Sequence, residues 1–159
     1  MIPITSKGER ARELFLSGYN CAQSTAGAFA EEIGLGLDTV LKLAQPFGGG
    51  MGRMREVCGT FSGILFTVGQ LFGDAVPGSD NKARVYIIVQ ELADRFKKEQ
   101  GSLICRDILG LLGADTDPSR PEARTAEYYK KRPCANTCAI AASILESYLK
   151  EKEAASPKP

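Results

Sequence analysis

Residues 57–73 read VCGTFSGILFTVGQLFG, seventeen residues without a charged side chain. A membrane-spanning helix needs about 20 predominantly apolar residues. This stretch is shorter, and it contains Thr60, Ser62, Thr67, Gln70 and several glycines. We therefore expect it to form a buried, uncharged helix at the centre of the fold.

Apolar residues recur at helical spacing on both sides of this stretch, and no segment shows the alternation of a strand beside a hairpin turn. Helix-start signals precede several of these segments. They are the capping box Ser6-Lys7-Gly8-Glu9, then Asn20, Asp38, Asp80 and Ser102. The pattern predicts an all-α protein, a single-domain bundle of about six to eight helices over residues 1–150. Residues 113–121 are expected to form a loop and residues 151–159 a flexible tail.

The charge composition bears on two classes of partner. The chain has 159 residues, with 20 Lys and Arg against 19 Asp and Glu. This balance gives no reason to expect nucleic acid or an anionic membrane as a partner. The N-terminal residues lack the apolar core of a signal peptide, so we expect a cytoplasmic protein.

The chain contains five cysteines and no histidine. Without histidine, Ser-His-Asp and Cys-His catalysis, zinc sites with imidazole ligands and CxxCH haem attachment are excluded. An odd number of cysteines in a reducing cytosol also argues against a structural disulfide framework. Any metal chemistry must therefore use sulfur or carboxylate ligands.

Four of the five cysteines fall in the first turn of a predicted helix. They are Cys21, Cys58, Cys105 and Cys134. A helix N-terminus carries a partial positive charge and unpaired N–H donors, and both stabilise a thiolate. Arginines also stand near three of these cysteines in sequence. We therefore expect these thiols to have pKa values below the usual value of about 8.5.

Free cysteine is also a common buried apolar residue, and no CxxC pair is present. The residues alone leave both interpretations open: separate core cysteines, or one shared cysteine site. Cys134 and Cys138 lie one helical turn apart, which suits two ligands of one metal better than a disulfide. The glycine-rich segment 47–52 lacks the pattern of a phosphate-binding loop. We expect it to let the backbone approach the site around Cys58 closely.

Five segments of the chain together form a longer pattern. They are YNCAQ (19–23), FGGGMGR (47–53), VCGTFSG (57–63), GSLICR (101–106) and Cys134. The order and approximate spacing of these segments resemble a family of redox-active proteins named for its cysteine pattern, C_GCAxxG_C_C. The resemblance extends over most of the chain. It implies that the cysteines at the four predicted helix starts are ligands or redox thiols.

The sequence departs from the family pattern at two positions. Thr60 stands where the family has the alanine after Cys-Gly, and Val57 stands where a glycine is expected before the central cysteine. Neither change removes a sulfur. Cys138 is an additional cysteine, because Cys134 fits the family's last cysteine better by its distance from Ile144 and Leu145.

The family is similar to the cluster-bearing part of split-Soret cytochromes, which are dimeric proteins that hold haem and an iron–sulfur centre. This similarity implies an iron–sulfur cluster and a homodimer. The absence of histidine excludes haem held in that way.

Three functions follow as hypotheses. The first is an electron-transfer or redox-sensing protein whose four thiolates bind an iron–sulfur cluster, with [2Fe–2S] as the favoured type and a redox partner that the sequence does not identify. The second is a metal-free thiol–disulfide oxidoreductase with Cys58 as the nucleophile near Arg55. The third is a binding module stabilised by a Cys-only zinc site. We favour the first.

Overall fold

The computed structural model describes residues 1–110 and 119–156 of the chain. The helical segments in these ranges are α1 (Ser6–Leu16), α2 (Cys21–Gly27), α3 (Leu37–Ala44), a 3-10 turn (Gln45–Phe47), α4 (Gly48–Met51), α5 (Gly59–Phe72), α6 (Asn81–Gln100), α7 (Cys105–Ile108), α8 (Ala126–Lys131) and α9 (Cys134–Ala155). Segments α4 and α7 are single turns of four residues. Within the described ranges, the only β pairing is an isolated bridge between Val57 and Ile104. The prediction of an all-α fold is confirmed.

The uncharged stretch forms α5, which packs against α2, α6 and α9. It is buried or partly buried as far as Val68, with Phe61, Ile64 and Val68 in the core, whereas Gly69 and Gln70 near its end are exposed. Gly63 lets α2 approach, because a Cβ at this position would lie 2.8 Å from Cβ of Thr25. The predicted central helix is therefore present, and its buried part begins directly after Cys58.

Helices α1 and α9 pack along each other, and a serine of each contributes to the contact. The expected capping box beginning at Ser6 is wrong, because the N-cap of α1 is Thr5, whose hydroxyl accepts from the N–H of Gly8. Ser6 lies in the first turn, and its hydroxyl donates instead to the carboxylate of Glu146 on α9 at 3.2 Å. The hydroxyl of Ser143 accepts from the N–H of Thr5 at 3.0 Å.

The predicted cap of α2 is confirmed. The side chain of Asn20 accepts from the N–H of Gln23 at 3.0 Å, and the side chain of Gln23 accepts from the N–H of Asn20 at 2.9 Å. The Asn20 amide also donates to the carbonyl of Gln45 at 2.9 Å. The start of α2 is thereby held against the 3-10 turn Gln45–Phe47.

Helix α9 continues to Ala155, and Arg95 of α6 donates two hydrogen bonds to Glu151 within it. The boundary at residue 151 that we predicted for the tail therefore lies inside a helix, while residues 157–159 lie outside the described residues. Of the predicted loop 113–121, only residues 119–121 are described. In the described part of the chain, no helix combines the length and apolarity that crossing a membrane requires.

Candidate functional site

The four predicted site cysteines all stand at helix starts. Cys21, Cys105 and Cys134 are the first residues of α2, α7 and α9, and Cys58 is the N-cap of α5. The placement expected from the sequence is therefore confirmed. Backbone N–H groups of the helix starts bond to two of the sulfur atoms, from Ala22 to Cys21 and from Thr60 to Cys58.

These four residues, here called the cavity cysteines, line one cavity of about 300 Å³. Three of them are buried, and Cys134 is partly exposed. All are free thiols. Cys138 does not line the cavity. Its side chain is fully buried, and its thiol lies 3.9 Å from the carbonyl oxygen of Cys21.

Gly59 allows Cys21 and Cys58 to share one wall of the cavity. A Cβ at Gly59 would collide with the Sγ of Cys21 and would lie 2.9 Å from the carbonyl oxygen of Phe47. Because glycine has no side chain, the start of α5 can lie directly against the start of α2. This close contact explains why a glycine follows Cys58 in the sequence.

A short backbone pairing brings Cys105 to the same place. The N–H of Cys58 donates to the carbonyl of Leu103 at 2.8 Å, and the N–H of Cys105 donates to the carbonyl of Glu56 at 2.6 Å. Both bonds flank the isolated bridge between Val57 and Ile104. The residues before α5 and α7 are therefore held side by side.

The glycine loop, residues 47–55, closes the cavity with an unusual backbone. Gly49 and Gly50 have φ values of 65° and 72°, and the non-glycine residues Met51, Arg53 and Arg55 also have positive φ, at 63°, 62° and 62°. Left-handed backbone is costly for residues with a Cβ. This conformation directs the loop's backbone inward at the thiols.

Two glycines of the loop touch the cavity cysteines. The N–H of Gly49 hydrogen-bonds to the thiol of Cys21. At Gly50, a Cβ would lie 2.7 Å from the Cβ of Cys105. We expected this segment to approach the site around Cys58, and the cysteines that its glycines contact are Cys21 and Cys105.

Burial raises the pKa of three of the four cavity cysteines. Desolvation raises the pKa of Cys21 to about 11, that of Cys58 to about 12 and that of Cys134 to about 11. The N–H groups of Gly49 and Ala22 lower the pKa of Cys21 only in part. The expected lowering of these pKa values is therefore wrong, because the lost hydration of the charged form outweighs the helix N-termini.

Further donors and positive charges face the sulfurs. The hydroxyl of Thr60 lies 3.2 Å from the Sγ of Cys58, and Nη1 of Arg55 lies 4.0 Å from the Sγ of Cys105. Among the described residues, the charged side chains that line the cavity are Arg53, Arg55, Glu122, Arg124 and Arg132. This part of the wall is therefore predominantly cationic, which favours negative charge on the sulfurs.

Arg124 ties the outer wall of the cavity to α1. Its guanidinium lies 4.2 Å from the ring centroid of Phe15 and donates to the carbonyls of Phe15 and Tyr19, at 3.3 and 3.0 Å. Sequence reasoning missed both Arg124 and the contact of Thr60. A threonine at the family's alanine position was a signal for Thr60, whereas Arg124 lies in a segment without a motif.

The thiols surround the cavity and do not converge on one point. Within residues 1–110 and 119–156, no three Cys, Asp or Glu side chains meet closely enough to hold a single metal ion. The donor set consists of four sulfurs with N–H, O–H and guanidinium groups behind them. Such a set fits a sulfur-ligated group that extends across the cavity.

The comparisons with known proteins give one match. A protein-family model described as "Putative redox-active protein (C_GCAxxG_C_C)" matches residues 19–148, which include all five cysteines. No curated protein and no solved structure shows significant similarity to the chain.

Proposed function

Because the chain belongs to the C_GCAxxG_C_C family of redox-active proteins, we propose that it is a redox protein whose cavity cysteines hold an iron–sulfur cluster. The observation that carries the proposal is that four thiols from four helix starts line one cavity, while the fifth does not. Cysteine thiolates are the common ligands of [2Fe–2S] and [4Fe–4S] clusters. We favour [2Fe–2S] as the type.

A bound cluster supplies the ability to take up and release single electrons, and the residues of the chain set how easily it does so. The N–H groups of Gly49 and Ala22 face Cys21, the hydroxyl of Thr60 faces Cys58, and the guanidinium of Arg55 faces Cys105. Each of these groups stabilises negative charge on a sulfur. Together they favour the reduced form, which carries one more negative charge.

The raised thiol pKa values are compatible with this role. A metal-bound thiol is deprotonated by the positive charge of the metal, so ligand formation does not require a low pKa in the free chain. Burial then separates the ligands from water, and only Cys134 is partly exposed. We therefore expect cluster assembly to release protons and to become less favourable as the pH falls.

A metal-free thiol oxidoreductase is less well supported. Its nucleophile would be Cys58, whose side chain is 6% exposed. Burial raises the pKa of Cys58 to about 12, so this thiol is almost entirely protonated at pH 7. A single zinc ion is also less well supported. All four of its sulfur ligands must lie about 2.3 Å from the zinc, and no such convergence is found among the described residues.

The proposal is tested by purifying the chain without oxygen and quantifying iron, zinc and acid-labile sulfide. We expect a brown protein with visible absorbance and equal amounts of iron and sulfide, two of each per chain for [2Fe–2S]. A colourless preparation with neither iron nor sulfide would reject the proposal. Zinc without sulfide would support the binding-module alternative instead.

A further inference from the structure

One wall of the cavity is formed by residues 119–132, here called the strap. The strap includes α8 and is followed by Pro133 and then by Cys134, the first residue of α9. The residues of the strap that line the cavity beside the cysteines are Ser119, Pro121, Glu122, Arg124, Tyr128 and Arg132. The strap is therefore part of the site, although it contains none of the cysteines.

The strap lies on the surface of the protein and buries none of its side chains. Ten of its fourteen residues are exposed, and the other four are only partly buried, namely Arg124, Tyr128, Tyr129 and Arg132. In contrast, α9 is continuously buried from Thr137 to Glu146. A segment that buries little apolar surface can detach from a folded core at a low cost in free energy. The strap can therefore open while the neighbouring helices stay in place.

The guanidinium of Arg124 is at the centre of the strap's contacts. It donates to the carbonyls of Phe15 and Tyr19, at 3.3 and 3.0 Å, near the end of α1. It also lies 4.2 Å from the ring centroid of Phe15, and 5.0 and 6.0 Å from those of Tyr128 and Tyr129 in the strap itself. Hydrogen bonds from a charged group are stronger than neutral ones, and cation–π contacts add to them. One side chain thus joins the strap to α1.

Further contacts attach the strap near its two ends. The ring of Tyr129 stands edge-on to that of Phe15, with the centroids 6.3 Å apart. Arg53 of the glycine loop donates to a backbone carbonyl at the beginning of the strap. The ion pair between Glu122 and Arg132 lies within the strap and does not attach it to another element. Without the central guanidinium, the strap would be held mainly near these ends.

We propose that the strap is a movable cover that controls the access of small molecules to the cavity cysteines, with Arg124 as the latch that holds it closed. With the strap closed, Cys134 is partly exposed and the other three cavity cysteines are buried. With the strap open, the molecules that load or unload the site can reach these three sulfurs. Covers of this kind keep water and unwanted reagents away from a reactive site between such events. The inference concerns access to the thiols and does not depend on what they hold.

The test measures how fast each thiol of the full-length chain reacts with N-ethylmaleimide. Iron is first removed with a chelator under anaerobic conditions, and mass spectrometry of the peptides assigns the label to each cysteine. Cys138 is fully buried and does not line the cavity, so its labelling reports unfolding of the whole chain. Arg124→Ala removes the latch. Lys130→Ala, at an exposed position of the strap that does not line the cavity, is the matched control.

We expect the three buried cavity cysteines to be labelled about tenfold faster in Arg124→Ala than in the parent, because the loss of the guanidinium contacts raises the population of the open strap. Cys138 should stay protected, and Lys130→Ala should match the parent. Arg124→Lys should give an intermediate rate, since an ammonium group keeps the charge but lacks the planar fork of a guanidinium.

A second measurement uses the chain as purified, with any bound iron and sulfide in place. During brief digestion with trypsin, Arg124→Ala should be cut faster than the parent after Lys131 of the strap. Lys130→Ala retains this cleavage site and should again match the parent.

Unchanged labelling of the three buried cavity cysteines in Arg124→Ala would overturn the proposal. Labelling of Cys138 at the same rate as these three, in the parent or in Arg124→Ala, would also overturn it, because only unfolding of the whole chain would then expose the site. Faster labelling in Met51→Gly but not in Arg124→Ala would assign the opening to the glycine loop instead. The iron and sulfide content, measured separately, decides the proposed function.

Discussion

The hydroxyl of Thr60 lies 3.2 Å from the Sγ of Cys58, and both side chains are buried. A deprotonated Cys58 can only accept, so in the proposed cluster-bound form the hydroxyl would donate to a ligand. Thr60 therefore gives this chain a hydrogen-bond donor at the site.

Replacing Thr60 with valine should lower the reduction potential. Valine keeps the shape of threonine but removes the donor, and the loss of about 1 kcal/mol of preferential stabilisation of the reduced form corresponds to ~40 mV. Redox titration followed by visible absorbance measures the change. Thr60→Ser, which retains the hydroxyl, should stay close to the parent. An unchanged potential in Thr60→Val would show that the contact does not influence the cluster.

Replacing Gly59 with alanine should disrupt the site. The new Cβ would collide with the Sγ of Cys21 and lie 2.9 Å from the backbone oxygen of Phe47. We expect a loss of about 1–3 kcal/mol in the free energy of unfolding and little bound iron. Urea denaturation and iron analysis measure both quantities.

Gly69 of the same helix is the matched control for that substitution. A Cβ there would meet no atom within 4 Å. Gly69→Ala should therefore stabilise the chain by up to about 1 kcal/mol, because alanine favours the helix over the unfolded chain. A similar loss of stability in both alanine variants would contradict the steric explanation.

Replacing Met51 with glycine should stabilise the chain. Met51 has a φ of 63°, a conformation that costs residues with a Cβ about 1–2 kcal/mol, whereas glycine adopts it freely. Glycine also loses more conformational entropy on folding than methionine does, which offsets part of this gain. We therefore expect the free energy of unfolding to rise by ~0.5–1 kcal/mol. Thermal unfolding measures it. Met54, which is outside the positive-φ group, is the control, and Met54→Gly should give no gain.

Acid should weaken the contact between α1 and α9 through Glu146. Burial alone would raise the pKa of this carboxyl, but hydrogen bonds from Lys150, Thr5, the N–H of Lys7 and Ser6 lower it to about 2. Because the pKa is lower in the folded state, the stabilisation is present above the unfolded value of about 4.5 and is lost as the pH falls from there towards 2.

Glu146→Gln should therefore cost about 1–3 kcal/mol at pH 7 and flatten the dependence of stability on pH between about 4.5 and 2. Denaturation at a series of pH values measures this dependence. Glu153→Gln, at an exposed position of the same helix, should leave the pH dependence unchanged. If the Glu146→Gln chain kept the parent's acid sensitivity, the contribution would come from another group.

The placement of the four cysteines at helix starts could be predicted from the sequence because the signals that mark a helix start are local. A cap such as Asn20 and a break such as Pro133 mark the starts of helices. A cysteine next to such a residue can therefore be assigned to a helix N-terminus without knowledge of the tertiary structure. The direction of the thiol pKa shift could not be predicted in this way, because desolvation depends on neighbours distant in sequence. The left-handed backbone at Met51 and Arg53 could not be predicted from the sequence either. This conformation is unfavourable for residues with a Cβ, and it is adopted here where the loop closes over the cavity.

The exclusion of Cys138 also needed the structure. One turn separates Cys134 from Cys138, so sequence spacing allows both as ligands of one metal. In the folded chain, Cys134 opens onto the cavity, while Cys138 lies behind it against the carbonyl of Cys21. We therefore propose that the cavity cysteines alone are the ligands of the cluster.

The most direct test of this claim is the iron and sulfide content of five single cysteine-to-alanine variants, purified without oxygen. We predict that Cys138→Ala retains the parent's iron and sulfide, and that Cys21→Ala, Cys58→Ala, Cys105→Ala and Cys134→Ala each lose most of both. Loss of the cluster in Cys138→Ala together with its retention in Cys134→Ala would contradict the account.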